Sequence, residues 1–133
     1  MLSNTPESRR FHRDHLWVCP SDQTDEVWVG ISDFAQKQLG KIVFVDLPRI
    51  GHRICHGEPC GTVESSKVVS ELVAPVTGDV VEINVTLRGA AGLLNEDCYG
   101  TGWLMRIKVA DAGHLEALLH HDAYLDLVGG QSR

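Results

Sequence analysis

The chain has 133 residues, 43% hydrophobic and 23% charged, with a formal net charge of -6; that is enough chain for one domain with a real apolar core. An acidic balance with no block of lysine or arginine disfavours nucleic acid as a partner. No apolar run approaches the ~18–20 residues needed to cross a membrane. The opening MLSNTPESRR lacks the apolar centre of a secretion signal, and Glu7 and Asp14 weigh against a mitochondrial presequence, so the expected location is cytoplasmic. Cys19, Cys55, Cys60 and Cys98 show no dense disulfide spacing and are expected as free thiols.

Residues 1–13 are expected to form a disordered tail, and 14–130 a single domain. His15–Cys19 and Glu26–Ile31 are short apolar runs joined by turn-forming PSDQTD, the pattern of a hairpin. Asp33 followed by Gln36 signals a helix start; Phe34, Ala35 and Leu39 share a face, and Gly40 stops the helix. Lys41–Leu47 is a β-branched run ended by Pro48 and Gly51.

Strands are expected at Glu58–Glu64, Val68–Val73, Asp79–Asn84 and Trp103–Val109, with a turn at Pro75 and Gly78 and a glycine-bearing link over Thr86–Asn95. Asp111 before Leu115, Leu118 and Leu119 starts one C-terminal helix. Asp122 before Leu125 and Val128 starts a second, which Gly129 and Gly130 end. His120 and His121 are expected on a solvated helix turn. Short strands with Gly/Pro punctuation point to a mainly β sandwich or barrel with helices outside. Gly51 and Gly78 flank Lys67 as turn glycines of a faint repeat, two similar halves meeting at one hairpin tip. Trp17, Val29, Phe44, Val63, Val80 and Leu104 are expected in the core.

Lys67 stands at that tip, in VESSKVVSELVAPVTG, with its stem and amine directed into water. Taken alone, a hairpin lysine is most often a solubilising residue. His52, Cys55, His56 and Cys60 match no common zinc spacing, and strand alternation separates them, so no metal site is expected. No nucleophile motif or phosphate loop is present, and the chain is not expected to be an enzyme.

Three separated blocks alter the reading of Lys67: GISDFAQKQLGKIVFVDLPRIG, VESSKVVSELVAPVTGDVVEIN and LLNEDCYGTGWLMRIK. Together they make His15 to Leu127 resemble the H protein of the glycine cleavage system. The resemblance implies a flattened lipoyl/biotinyl-type β-sandwich, a barrel-sandwich hybrid, with short flanking helices and a C-terminal helical pair. It implies lipoic acid joined by an amide to Lys67, with Glu64 three residues before as the lipoylation-recognition acid, and a swinging arm whose cofactor supplies the chemistry. Biotin is disfavoured, because biotin carriers flank their lysine with methionines and here Ser66 and Val68 stand there. Implied partners are a lipoyl ligase or lipoyl transferase and dihydrolipoamide dehydrogenase.

The family's cargo cleft falls on Asp14, His15, Leu16 and Glu71. Leu16 stands where the family has an acid able to pair with an ammonium, a bond of roughly 1.5–3 kcal/mol. Cys98 replaces a usual proline, and Cys55 adds a thiol near the arm; both are candidates for a thiol role. These departures favour, slightly, an H-like lipoate-binding protein of sulfur oxidation, carrying sulfur intermediates to a heterodisulfide-reductase-like complex. The alternative is the carrier of the aminomethyl group from glycine decarboxylase to aminomethyltransferase, and the third a lipoyl-relay or interaction module. A monomer is expected.

Overall fold

The computed structural model describes residues 9–21, 25–110 and 113–131. The strands are β1 (Arg10–Phe11), β2 (Leu16–Pro20), β3 (Glu26–Ile31), β4 (Ile42–Asp46), β5 (Arg53–Ile54), β6 (Pro59–Ser65), β7 (Val69–Val73), β8 (Gly78–Ile83), β9 (Met105–Val109) and β10 (Leu119–His120). The helices are α1 (Asp33–Leu39), α2 (Leu93–Glu96), α3 (Gly113–Glu116) and α4 (His121–Gln131), with a 3-10 turn at Val85–Arg88. Among the described residues the strands form two sheets, one ordered β10-β1-β2-β3-β9-β8-β5 and one ordered β4-β6-β7.

The expected hairpin is β2–β3, antiparallel with Val18 opposite Val29; the middle of its turn, residues 22–24, lies outside the described residues, as does Asp111. Side chains alternate along a strand, so Leu16 and Val18 join the core between the sheets while Trp17 and Cys19 face away from it. That second face is not left to water. It meets Phe11, Tyr124 and Val128 in a smaller apolar cluster, which is why four consecutive residues of β2 are buried on both sides. Trp17 is wholly buried, its indole N–H donates to the Cys98 carbonyl at 2.9 Å, and the Arg9 guanidinium lies 4.3 Å above its ring. Gly30 is opposite Trp17; a Cβ there would stand 2.4 Å from the indole.

Several sequence expectations are corrected. Residues 9–13 belong to the fold, not to a tail: Arg9 and Phe11 are buried, and β1 lies between β2 and β10. Phe44 is 53% exposed because a bulge between Ile42 and Phe44 breaks the alternation that would have turned it inward. The other five expected core residues are buried. Gly78 is not in a turn but in β8, where a Cβ would stand 2.2 Å from the Lys108 carbonyl oxygen. The cap of α1 is Ser32, whose Oγ accepts from the Ala35 N–H at 3.1 Å; Asp33 instead pairs with Lys37 one turn on. In the C-terminal pair, α3 is one turn, β10 separates the two helices, and α4 runs through Gly129 and Gly130. His120 is exposed in β10, and the His121 ring lies 5.6 Å from Phe11.

Candidate functional site

The tip of the β6–β7 hairpin is braced from within. Glu64 opposite Val69 is its last ladder pair, and the Ser65 N–H donates to the Val68 carbonyl at 2.8 Å. The Ser65 side chain is 5% exposed, and its Oγ accepts from the N–H groups of both Lys67 and Val68 at 3.1 Å. The Ser66 N–H donates to the Lys41 carbonyl at 3.0 Å, tying the tip to the chain after α1. Lys67 itself is exposed. Its backbone is fixed by a hydroxyl while its amine stays accessible.

The Lys67 stem runs over the end of α1. Gly40 adopts φ 79°, and a Cβ there would stand 3.1 Å from Lys67 Cε and 3.4 Å from Nζ. Two requirements therefore meet at Gly40, a left-handed backbone and clearance for the lysine. Asn95 holds this junction: its amide donates to the Gly40 carbonyl at 2.8 Å and to Gln36 Oε1 at 3.0 Å, and its Oδ1 accepts from the Ile42 N–H at 2.9 Å.

Beside this junction lies a cavity of about 390 Å³. Leu39, Gln38, Ala35 and Phe34 of α1 form one wall, Ser70, Glu71 and Leu72 of β7 another, and Asp14, His15 and Leu16 close the far end. All four residues expected at a cargo cleft, Asp14, His15, Leu16 and Glu71, thus line one space. Their roles are unequal. Leu16 is 2% exposed and belongs to the core, so the depth of the cleft is apolar, whereas Asp14 and Glu71 are exposed at its rim. His15 has φ 78°, a left-handed conformation rare for a side-chain-bearing residue. Its Nδ1 lies 2.8 Å from the Tyr124 hydroxyl, which is in turn 2.6 Å from Ser32 Oγ. Burial pushes the His15 imidazole below its ordinary value, while Asp14 pulls it up.

Glu64 lies outside the cleft, exposed on the outer face of the small sheet. The candidate thiols divide sharply. Cys98 is buried, and burial pushes its thiol up to about 12, against the thiolate that exchange chemistry needs. Cys60 is pushed up to about 11. Cys55 is exposed but does not line the cleft. Among the described residues no group of three or more His, Cys, Asp or Glu side chains is placed to hold a metal, and no helix is long and apolar enough to cross a membrane.

Asn95, Ser32 and Tyr124 had no signal as site residues. Ser65 carried a faint one, a small hydroxyl residue in a turn, but Asn95 and Tyr124 act across the chain from the residues they hold.

Residues 9–130 match the family model described as glycine cleavage H-protein. A probable glycine cleavage system H protein of Natronomonas pharaonis is 48% identical over 124 residues, which cover 93% of this chain and 96% of that one. The glycine cleavage system H protein of Mycobacterium avium is 46% identical over 127 residues, 92% of this chain and 96% of the relative. A crystal structure of a glycine cleavage system H protein from Mycobacterium marinum superposes with a TM-score of 0.85 at 37% identity, covering 94% of this chain and 99% of that one. With the two-sheet sandwich and nearly the whole length matched, the chain belongs to the glycine cleavage H-protein family, whose members are carriers and not enzymes.

Proposed function

We propose that this protein is a lipoyl carrier modified on Lys67 that moves the aminomethyl group of glycine from a glycine decarboxylase to an aminomethyltransferase. The observation that carries the reading is the alignment of an exposed, braced lysine with a ready-made cleft beside it. The names of the relatives support glycine cleavage. They reverse the preference for sulfur transport that Leu16 and the thiols suggested, and the sealed Cys98 weakens that preference further.

The cleft fits the expected group. Its volume lies within the ~300–1,000 Å³ of small-molecule sites. A lysine stem plus lipoyl chain reaches roughly 14 Å, about ten bonds at standard lengths. The α1 wall from Gly40 back to Phe34 spans about 9 Å at helical rise. An arm rooted at Lys67 can therefore lie along α1 and end beside Phe34 and His15, inside the cleft.

The lipoyl group, when attached, supplies a dithiol that accepts the one-carbon cargo. The chain's own residues do the rest. Ser65 and the Ser66–Lys41 bond hold the root of the arm still. Leu39, Leu16 and Leu72 exclude water from its length. Asp14 and Glu71 place negative charge at the rim, where an ammonium cargo is held, and His15, kept neutral by burial, adds no repulsive charge. Glu64 marks the tip for the lipoyl ligase or transferase, and dihydrolipoamide dehydrogenase reoxidises the arm.

Glycine–bicarbonate exchange with a glycine decarboxylase tests the reading. Lipoylated protein is expected to support exchange, and Lys67→Arg to abolish it. Failure of the lipoylated protein, alongside activity of a known H protein on the same enzyme, would overturn the assignment.

A further inference from the structure

The turn from His12 to His15, closed by a His15 N–H to His12 carbonyl bond of 2.8 Å, serves two cavities. Asp14 and His15 line the cleft beside Lys67; His12 and Arg13 line a second space of about 640 Å³, and the two share no lining residue. Carrying an arm on Lys67 makes no use of the second. Its floor is apolar, with buried Phe11 and Leu118 beside Leu119 of β10. Ala123 and Leu127, four residues apart on one face of α4, form a wall. A mostly apolar cavity of this size with a few placed polar groups has the make-up of a small-molecule site.

His12 is the group that points to a ligand. It is 7% exposed, and burial holds its imidazole below the ordinary value, so it is neutral at pH 7. The Asp14 N–H donates to its Nδ1 at 3.1 Å, which puts the ring proton on Nε2. Asp14 Oδ2 lies 3.3 Å from that same Nδ1, and the His56 ring meets the imidazole edge-on at 5.2 Å. No described residue accepts from Nε2, and this nitrogen is not sealed from solvent, so the donor opens on the cavity its ring lines. Donors buried this far are nearly always paired. Water can take the place, but the apolar floor favours a molecule that brings an acceptor on an apolar body.

We propose that this cavity binds a small organic acid, an unbranched apolar chain whose carboxylate accepts from His12 Nε2 and pairs with Arg13. His12 and Arg13 are consecutive, so donor and cation come together at one end of the site, whereas Asp126, the acidic residue of the lining, belongs to α4. The chain of the acid lies over Phe11 and Leu118 against the α4 wall. Binding is reversible and forms no covalent bond. The inference goes beyond the carrier reading and makes no use of Lys67.

The test titrates full-length unmodified protein with hexanoate at pH 7, followed by amide NMR shifts. Saturable binding with a Kd on the order of 1 mM is expected for so small a ligand, with shifts centred on Leu118, Leu119 and Ala123. Ala123→Trp, at an exposed position of α4, should fill the cavity and abolish binding. Arg13→Gln, also exposed, and His12→Phe, which keeps a ring and loses the N–H, should each weaken binding about tenfold, as loss of one charge-assisted bond does. 1-Hexanol, with the same chain and no charge, should bind about tenfold more weakly than hexanoate. Shifts confined to Ala35, Leu39 and Ser70 would put the acid in the cleft beside Lys67 and overturn the inference. So would unchanged binding in Ala123→Trp, equal binding of hexanol and hexanoate, or no saturation below about 10 mM. Any of these leaves the carrier reading as it stands, because lipoylation of Lys67 is measured separately.

Discussion

Replacing Tyr124 by Phe removes one oxygen and leaves the ring, which stacks on Phe11 at 4.5 Å and 10°. That oxygen is the link between α4, the cap of α1 and the cleft. Ser32 Oγ already accepts from the Ala35 N–H, so its own proton is free to go to the Tyr124 oxygen. The tyrosine proton then goes to His15 Nδ1, an acceptor only while the imidazole is neutral. Deletion costs two hydrogen bonds between neutral groups, together ~1–3 kcal/mol. The lower half of that range is expected, because Ser32 keeps one partner and half-buried His15 can recruit water from the cleft. The pH dependence follows from the lowered His15 value. The unfolded chain takes up the proton first as pH falls through about 6.5, and stability is lost there. Protonated His15 can no longer accept from Tyr124, so the unaltered protein loses the bond on acidification and the variant has none to lose. Urea unfolding between pH 7.5 and 4.5 should show the two stabilities converging toward the acid end. His12 also lies below its ordinary value, by burial, but it is common to both proteins and cancels in the difference. A difference that stays flat with pH, or widens on acidification, would refute the link.

Gly30→Ala places a methyl 2.4 Å from an indole that is wholly buried and held by Cys98; overpacking of this kind costs ~1–3 kcal/mol, and an unchanged urea midpoint would contradict the packing. Iodoacetamide at pH 8 on folded protein should label Cys55 fast and Cys98 and Cys60, with thiols at about 12 and about 11, only after denaturation; peptide mapping showing Cys98 labelled as fast as Cys55 would contradict the burial argument. Leu16→Glu adds a carboxylate to the apolar depth of the cleft. It should lower the stability of the unmodified protein, since Leu16 is 2% exposed, yet slow hydrolytic loss of a bound aminomethyl cargo about tenfold, the lower end of a charged hydrogen bond; no change in cargo lifetime would remove the cleft from the account.

The site was legible in the sequence where its signals are local. The Lys67 tip could be read because polar Ser65 and Ser66 interrupt two apolar runs, and the cleft residues because they lie in blocks that resemble a known family. The gathering of Asp14, His15, Leu16 and Glu71 around one cavity then follows from the β2–β3 hairpin, α1 and β7 meeting at the small sheet. What was not legible is non-local. Phe44 reads as core from alternation alone, and a bulge turns it outward. Arg10 and Phe11 look like a tail, yet their strand partners are Leu119 and His120 as well as Val18 and Trp17. Tyr124 looks like a residue of an ordinary terminal helix, but its hydroxyl acts on Ser32 and His15, 92 and 109 positions away. The difference between exposed Cys55 and buried Cys98 was illegible for a related reason: sequence reveals a cysteine's presence but not its burial, and burial governs thiol reactivity.

The central claim is that Lys67 carries the arm. Full-length protein incubated with a lipoyl ligase, lipoate and ATP, then digested and mapped by mass spectrometry, should show one lipoyl group, on the peptide containing Lys67, and none on Lys37, Lys41 or Lys108. Lys67→Arg should keep the thermal midpoint of the unaltered protein, since the side chain is exposed, and take up no lipoyl group. A lipoyl group found on another lysine, or uptake persisting in Lys67→Arg, would contradict the account at its root.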